Sequence, residues 1–356
     1  MNIAVNTFYK ETHPGAVLQA YALCRTLSSL GNNVELVAYE RAELPYVGSP
    51  LKSGILKFVT KERETLTRYG GFRSRFLRET PRNYKTQQEI FDDPPAVDAL
   101  VCGSDQIWNP ALLAGRCFDP VYFLQYGSPD ALRISYAASF GGHRLSAEEE
   151  ETLRRYLSKF TAISVREPAA AEVLSQILRR KVEVTLDPTL LIDDYGEIII
   201  PPEDDSRYVL HYALQNNEGI RRVTRQVAAH YGLPIKSSGG PLLPWKSVGK
   251  RVEVRDPQQW LGLFANADAV VTNSFHGLVF SLLLKKRVYF PPLSDGLAAR
   301  NERLLHLCNA LGVSEQVVVK NVSETIRRDI NWDNVARRLK EHRSSSLEFL
   351  RSSLHS

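Results

Sequence analysis

Several short runs carry side chains able to move protons or hold anions. In Asn273-Ser274-Phe275-His276-Gly277, a strand of Ala, Val and Thr at residues 269–272 runs into an apolar helical stretch. Asn273 or Ser274 stands where a first-turn cap belongs. The open N–H groups of such a turn and the positive end of the helix dipole suit a phosphate or carboxylate. His276 is therefore a candidate acid that responds to a bound anion, against the alternative of a polar residue that merely opens the helix. In Ser164-Val165-Arg166-Glu167, Arg166 ends an apolar strand; its planar fork matches a carboxylate or phosphate, against the alternative of a salt bridge with Glu167. The run Gly103-Ser104-Asp105-Gln106-Ile107-Trp108-Asn109-Pro110 follows a strand at 97–102, and small polar residues there let a ligand approach the backbone. Ser139 ends another strand, at 133–138. Asp187, ahead of Pro188, either orients a polar partner or only fixes the turn.

These tips need a scaffold of parallel strands. Strands at 3–5 and 33–39 flank a helix over 15–27 that Gly31 closes, which is a βαβ opening without the GxGxxG of a dinucleotide site. After a Pro-rich, acidic linker at 193–206 comes a second set: strand 208–212, helix 218–231, strand 252–254, helix 257–265, the strand and helix around His276, strand 287–290 and helix 300–311. The pattern predicts an α/β protein of two Rossmann-type, doubly wound domains facing a cleft lined by strand tips, at 1–195 and 196–330, with a C-terminal helix over 331–356. Residues 50–90 interleave Lys and Arg with apolar residues and read as a basic helical insertion. Such a face is either simply solvated or rests on anionic lipid.

A formal charge of +5 over 356 residues fits anionic ligands or an anionic membrane surface and falls short of a nucleic-acid footprint. Cys24, Cys102, Cys117 and Cys308 are far apart and make no CxxC pair, so they read as reduced thiols rather than metal ligands. No apolar run approaches about 18 residues and no leader pattern opens the chain, which sets a cytoplasmic expectation, with peripheral contact at the inner membrane face as an option.

Together, residues 15–21, 103–110, 135–141, 164–167, 186–190 and 273–277 resemble the polysaccharide pyruvyl transferase family, six blocks in the family's order. The resemblance implies a GT-B-like fold, phosphoenolpyruvate as donor substrate, a saccharide acceptor that is free or lipid-linked, and a pyruvate ketal as product, with no metal and no cofactor. The family's strand-tip Arg falls on Arg166 and its His-Gly on His276 and Gly277. Where members carry an Arg two places before that His, this chain has Ser274, so the donor charge falls to Arg166, to the turn at Asn273 and Ser274, or to Arg300 and Arg303. In this scheme His276 is the acid and Asp105 accepts a hydroxyl proton or orients the acceptor. Gly103, Ser104, Gln106, Asn109 and Ser139 line the acceptor site, and Trp108 stacks on the sugar or packs in the core. The rival readings are a glycosyltransferase using a nucleotide sugar and a non-catalytic sugar- or anion-binding protein. Nothing in the residues fixes the oligomeric state.

Overall fold

In the computed structural model the described residues are 1–11, 13–40, 68–113, 117–238, 248–254, 256–294, 298 and 301–355. The chain divides into two compact units, Met1–Ile192 with His342–Ser356, and Asp193–Glu341.

The first unit is built on a seven-stranded sheet of β1 (Asn2–Asn6), β2 (Asn33–Tyr39), β3 (Glu79–Tyr84), β4 (Ala99–Cys102), β5 (Leu132–Ala138), β6 (Ala162–Val165) and β7 (Glu183–Val184). Every pairing is parallel, in the order β3-β2-β1-β4-β5-β6-β7. Helices cover both faces of such a sheet, so its inner strands are apolar throughout: Ile3, Ala4, Val5 and all of β4 are buried. Helix α1 (Pro14–Ser29) starts at a proline whose missing N–H costs nothing in the first turn, and buries nearly every side chain from Pro14 to Leu23. The strand order reverses between β1 and β4, so the chain leaves these neighbours in opposite directions and a crevice opens at their carboxyl ends.

The insertion expected at 50–90 is corrected over its described part. Helix α2 (Tyr69–Phe76) is followed by β3 and the short helix α3 (Gln87–Asp92), so an edge strand of the sheet interrupts the helical region. Pro81 is tolerated because β3 pairs on one side only, and Thr80 Oγ1 accepts from the N–H of Ala38 at 3.0 Å where the ladder shifts register. Residues 50–67 lie outside the described residues. Further along, α4 (Ala147–Leu157) opens with a full capping box between Ser146 and Glu149, and α5 (Pro168–Leu178) follows β6.

The second unit repeats the plan with β8 (Val209–Tyr212), β9 (Ile235–Ser238), β10 (Lys250–Arg251), β11 (Ala269–Thr272) and β12 (Arg287–Tyr289), all parallel, in the order β10-β9-β8-β11-β12. Its switch point lies between β8 and β11. The helices are α6 (Glu218–Tyr231), α7 (Pro257–Asn266), α8 (Phe275–Leu283) and α9 (Asn301–Leu311). The strand expected at 252–254 is replaced by Lys250–Arg251, and β9 takes the place beside β8. The segment at 193–206 packs on this unit instead of spanning solvent: Tyr195 meets Phe280 edge-on at 5.1 Å, and the Ile200 carbonyl oxygen sits 1.8 Å from where a Cβ on Gly262 would fall.

The C-terminal helix α10 (Trp332–Leu354) is not a separate piece, because its residues from His342 onward belong to the first unit. Leu350 and Leu354 are buried there, Ser346 Oγ accepts from the N–H of Leu186 at 3.0 Å, and Arg343 Nε donates to the Leu190 carbonyl at 2.8 Å. The helix thus clamps both ends of the segment that carries Asp187. None of the helices, among the described residues, is long and apolar enough to cross a membrane.

Candidate functional site

In the first unit, Gln19 ties together the two loops that leave the switch point. Buried on α1, it donates through Nε2 to Thr7 Oγ1 at 2.9 Å and to the Phe8 carbonyl at 3.0 Å, and its Oε1 accepts from the N–H of Ser104 at 3.2 Å. Thr7 Oγ1 in turn donates to the Ser104 carbonyl. Gly103 adopts φ +118°, and a Cβ there would lie 2.1 Å from the Tyr136 carbonyl oxygen, so the loop lies flat on β5 only as glycine. Asp105 follows in the left-handed region at φ 62°, which a short polar side chain tolerates.

That turn points Asp105 at Arg166, whose side chain is 3% exposed. Arg166 Nη1 donates to Asp187 Oδ2 at 2.7 Å, its Nη2 lies 3.7 Å from Asp105 Oδ1, and its Nε lies 3.5 Å from Glu167 Oε1. Burial by itself lowers the guanidinium pKa, but Glu167, Asp187 and Asp105 outweigh it and the net shift is upward. Asp187 accepts from Ser104 Oγ through Oδ2, and from the Thr189 N–H and hydroxyl through Oδ1, so it both orients Arg166 and caps its own turn. Glu167 Oε1 accepts from Ser139 Oγ at 2.6 Å.

The salt bridge weighed for Arg166 is present, and it extends beyond Glu167 to Asp187 and Asp105. Among the described residues one guanidinium faces three carboxylates, and each unmatched unit charge would repel a further anion by on the order of 4 kcal/mol at about 4 Å and an effective dielectric of about 20. Arg166 positions carboxylates.

Most of the expected acceptor ligands are also spoken for. Trp108 is fully buried, stacked on Phe123 at 5.0 Å and 7°, with its indole N–H donating to the Tyr122 carbonyl; it packs in the core and does not reach a sugar. Asn109 Nδ2 donates to Gln106 Oε1 at 2.9 Å and its Oδ1 accepts from the Ala111 N–H, while Gly141 leaves the room that the Gln106 amide occupies. Those two amides brace the loop. Ser104 and Ser139 are buried and committed to Asp187 and Glu167. Of this set Asp105 keeps an exposed edge, at 16%.

A residue not singled out from sequence joins Asp105. Glu11, partly buried in the loop between β1 and α1, has its carboxyl pushed up from 4.5 to about 7, by burial first and by the Asp105 charge second. Only the strand order carries a signal for it, since Glu11 and Asp105 sit in loops leaving neighbouring strands at the switch point.

In the second unit, β11 delivers the chain into α8. Ser274 caps the helix by accepting from the Gly277 N–H at 3.4 Å, and Asn273 fixes the neighbouring loop, its Oδ1 accepting from Leu214 N–H and its Nδ2 donating to the Gln215 carbonyl. A Cβ on Gly277 would lie 2.4 Å from Thr272 Oγ1 and 3.1 Å from the Tyr212 ring, so glycine is what lets the helix start this close to the sheet. His276, in the first turn and 5% exposed, lies edge-on to Phe275 at 5.3 Å. The Arg303 guanidinium lies over the Phe275 ring, 5.4 Å from its centre. His276 and Arg303 thus each border Phe275 at the start of α8; Arg300 lies outside the described residues. A second buried histidine, His211 on β8, is a structural contrast: burial lowers it to about 4 and its Nδ1 pairs with Thr224 Oγ1. No group of three or more His, Cys, Asp or Glu is arranged for a metal ion among the described residues.

A family model for polysaccharide pyruvyl transferase matches residues 13–290. No functionally curated protein matches the chain. Similar solved structures include a putative UDP-N-acetylglucosamine 2-epimerase from Listeria monocytogenes, 10% identical with a TM-score of 0.52, covering 96% of this chain and 90% of that one. The UDP-bound MnaA structure from S. aureus is 14% identical with a TM-score of 0.51, covering 96% and 87%. The UDP-GlcNAc 2-epimerase from Neisseria meningitidis bound to UDP-GlcNAc is 11% identical with a TM-score of 0.50, covering 99% of both chains. At these identities the likeness is one of fold: a GT-B-like pair of Rossmann-type units.

Proposed function

The chain belongs to the polysaccharide pyruvyl transferase family and is a transferase, and from that premise we propose that it moves the enolpyruvyl carbon unit of phosphoenolpyruvate onto two saccharide hydroxyls, forming a pyruvate ketal and releasing phosphate. The observation that supports the donor assignment is the start of α8, where a capped helix N-terminus carries His276 and where His276 and Arg303 both border Phe275. Phosphoenolpyruvate brings a phosphate and a carboxylate on three carbons. Helix N–H groups and a guanidinium are the partners such anions need. His276 is the group placed to give a proton to the methylene carbon of the donor. The acceptor's hydroxyls are assigned to the acidic crevice of the first unit, where an anion is disfavoured and a carboxylate has an exposed edge.

Titration calorimetry with phosphoenolpyruvate and with nucleotide sugars, followed by a phosphate-release assay with saccharide acceptors, tests this. Phosphoenolpyruvate should bind and release phosphate only when an acceptor is present. Binding of a nucleotide sugar without any for phosphoenolpyruvate would replace the reading with a glycosyltransferase, and binding of either without turnover would replace it with a non-catalytic binding protein.

The basic residues between Lys52 and Lys85 motivate a lipid-linked acceptor met at the cytoplasmic face of an anionic membrane. Binding to vesicles containing anionic lipid should weaken as salt rises, since exposed charges are screened within roughly 8 Å at physiological ionic strength. Absence of binding at low salt would leave a free saccharide as the acceptor.

A further inference from the structure

We propose that Glu11 is a catalytic base of this enzyme, working as a pair with Asp105 on the two hydroxyls of the acceptor; the inference rests on the pyruvyl-transfer reading. The two carboxylates lie in loops that leave adjacent strands, β1 and β4, at the point where the strand order reverses. Those loops are tied to each other by the Gln19 and Thr7 hydrogen bonds, which fixes the backbone on which both carboxylates stand. Asp105 is further fixed from behind by Arg166.

The chemistry asks for two acceptors of protons. Ketal formation joins two hydroxyl oxygens to C2 of the enolpyruvyl unit, each through an oxygen lone pair, and breaks the C2–O bond to phosphate, whose electron pair leaves with the phosphate. The C2=C3 pair takes up one proton, turning methylene into methyl. Two hydroxyl protons are released overall: one balances the proton gained by C3, and the other leaves on phosphate. A lone carboxylate held ionised by a cation is a weak base at neutral pH. A second carboxyl whose pKa is pushed up to about 7, by burial first and by its partner's charge second, takes a proton at the working pH and returns it.

Among the described residues, the charged groups around Glu11 come from its own loop and from the loop after β4. Asp105 lies in the loop after β4, next to the loop of Glu11 and close enough for its charge to act on that carboxyl, with Arg166, Glu167 and Asp187 around it. Lys10 and His13 flank Glu11 in its own loop; the Lys10 ammonium donates to Asn83 Oδ1 at 2.9 Å, and Arg73 of α2 donates to the Lys10 carbonyl.

Rates of phosphate release against pH, for wild type, Glu11→Gln and Asp105→Asn, make the test, with the Glu11 carboxyl followed by carbon NMR. In wild type kcat/KM should rise through about pH 7, where the Glu11 carboxyl ionises. Glu11→Gln should lose about 10²–10³-fold in kcat, with phosphoenolpyruvate binding unchanged. In Asp105→Asn the acidic limb should move to lower pH, because the like charge that opposes ionisation is gone. Wild-type turnover in Glu11→Gln, or an unmoved limb in Asp105→Asn, would overturn the proposal while leaving pyruvyl transfer intact. If wild type releases no phosphate from phosphoenolpyruvate, the functional reading fails instead. A Glu11 carboxyl that titrates at its ordinary 4.5 then sinks this inference as well.

Discussion

Replacing His276 with Ala is expected to lower turnover about 10²–10⁴-fold while phosphoenolpyruvate still binds, the loss typical of a general acid. The side chain sits in the first turn of α8 and is 5% exposed, and its neighbours divide the labour. In the proposed donor site the turn's N–H groups and Arg303, over Phe275, are the charge complement to an anion, so ground-state binding is expected not to depend on the imidazole. His276→Asn keeps a hydrogen-bond donor in the turn but has no proton to exchange. It should therefore bind donor like wild type and turn over like the alanine variant. Near wild-type turnover in His276→Asn at saturating donor would make His276 an anion ligand and move the acid elsewhere. Because Phe275 and Gly277 pack on the sheet and His276 leans on Phe275, an unfolding midpoint close to wild type should accompany both substitutions. A midpoint shifted by several kcal/mol would assign the loss of rate to the helix start and not to chemistry.

How much of this was readable from residues follows from where each element sits. Strands β1, β4 and β11 lie between neighbours on both sides and under helices, so their apolar runs are continuous and announce themselves. Strands β3 and β9 do not. The first is an edge with Pro81 in it, and the second, Ile-Lys-Ser-Ser, takes Lys236 inward because Asp204 accepts from its ammonium and the Tyr208 ring lies 4.2 Å away. At the candidate site the residue types were legible and their partners were not. Asp187 is 21 positions beyond Arg166, and no periodicity says that a turn closed by Pro188 brings them to 2.7 Å. Trp108 reads equally as a stacking platform or a core residue until Phe123 is seen lying parallel to it. Glu11 lacks any local mark, since its displacement toward neutrality arises from burial and from a charge on another strand's loop.

The buried carboxylates around Arg166 carry the second large expectation. Arg166→Met should destabilise the first unit by roughly 3–5 kcal/mol, the cost of leaving a buried ion partner uncompensated. Three carboxylates depend on that one guanidinium, and Asp187 depends on it most directly, at 2.7 Å with no exposure of its own side chain. Arg166→Lys keeps the charge but has no fork, so it cannot keep the bond to Asp187 and the approaches to Asp105 and Glu167 at once; a loss of about 1–3 kcal/mol is expected there. Urea unfolding followed by a probe in the first unit reads both. The deficit in the Met variant should shrink as pH falls, since protonating a carboxylate removes the charge that has lost its partner, and it should be largest at neutral pH and above. Had Arg166 been a donor clamp, the outcome would be reversed: phosphoenolpyruvate affinity would fall in Arg166→Lys while unfolding stayed put. That pattern would return Arg166 to the donor site and require one of its carboxylates to move aside when the anion arrives.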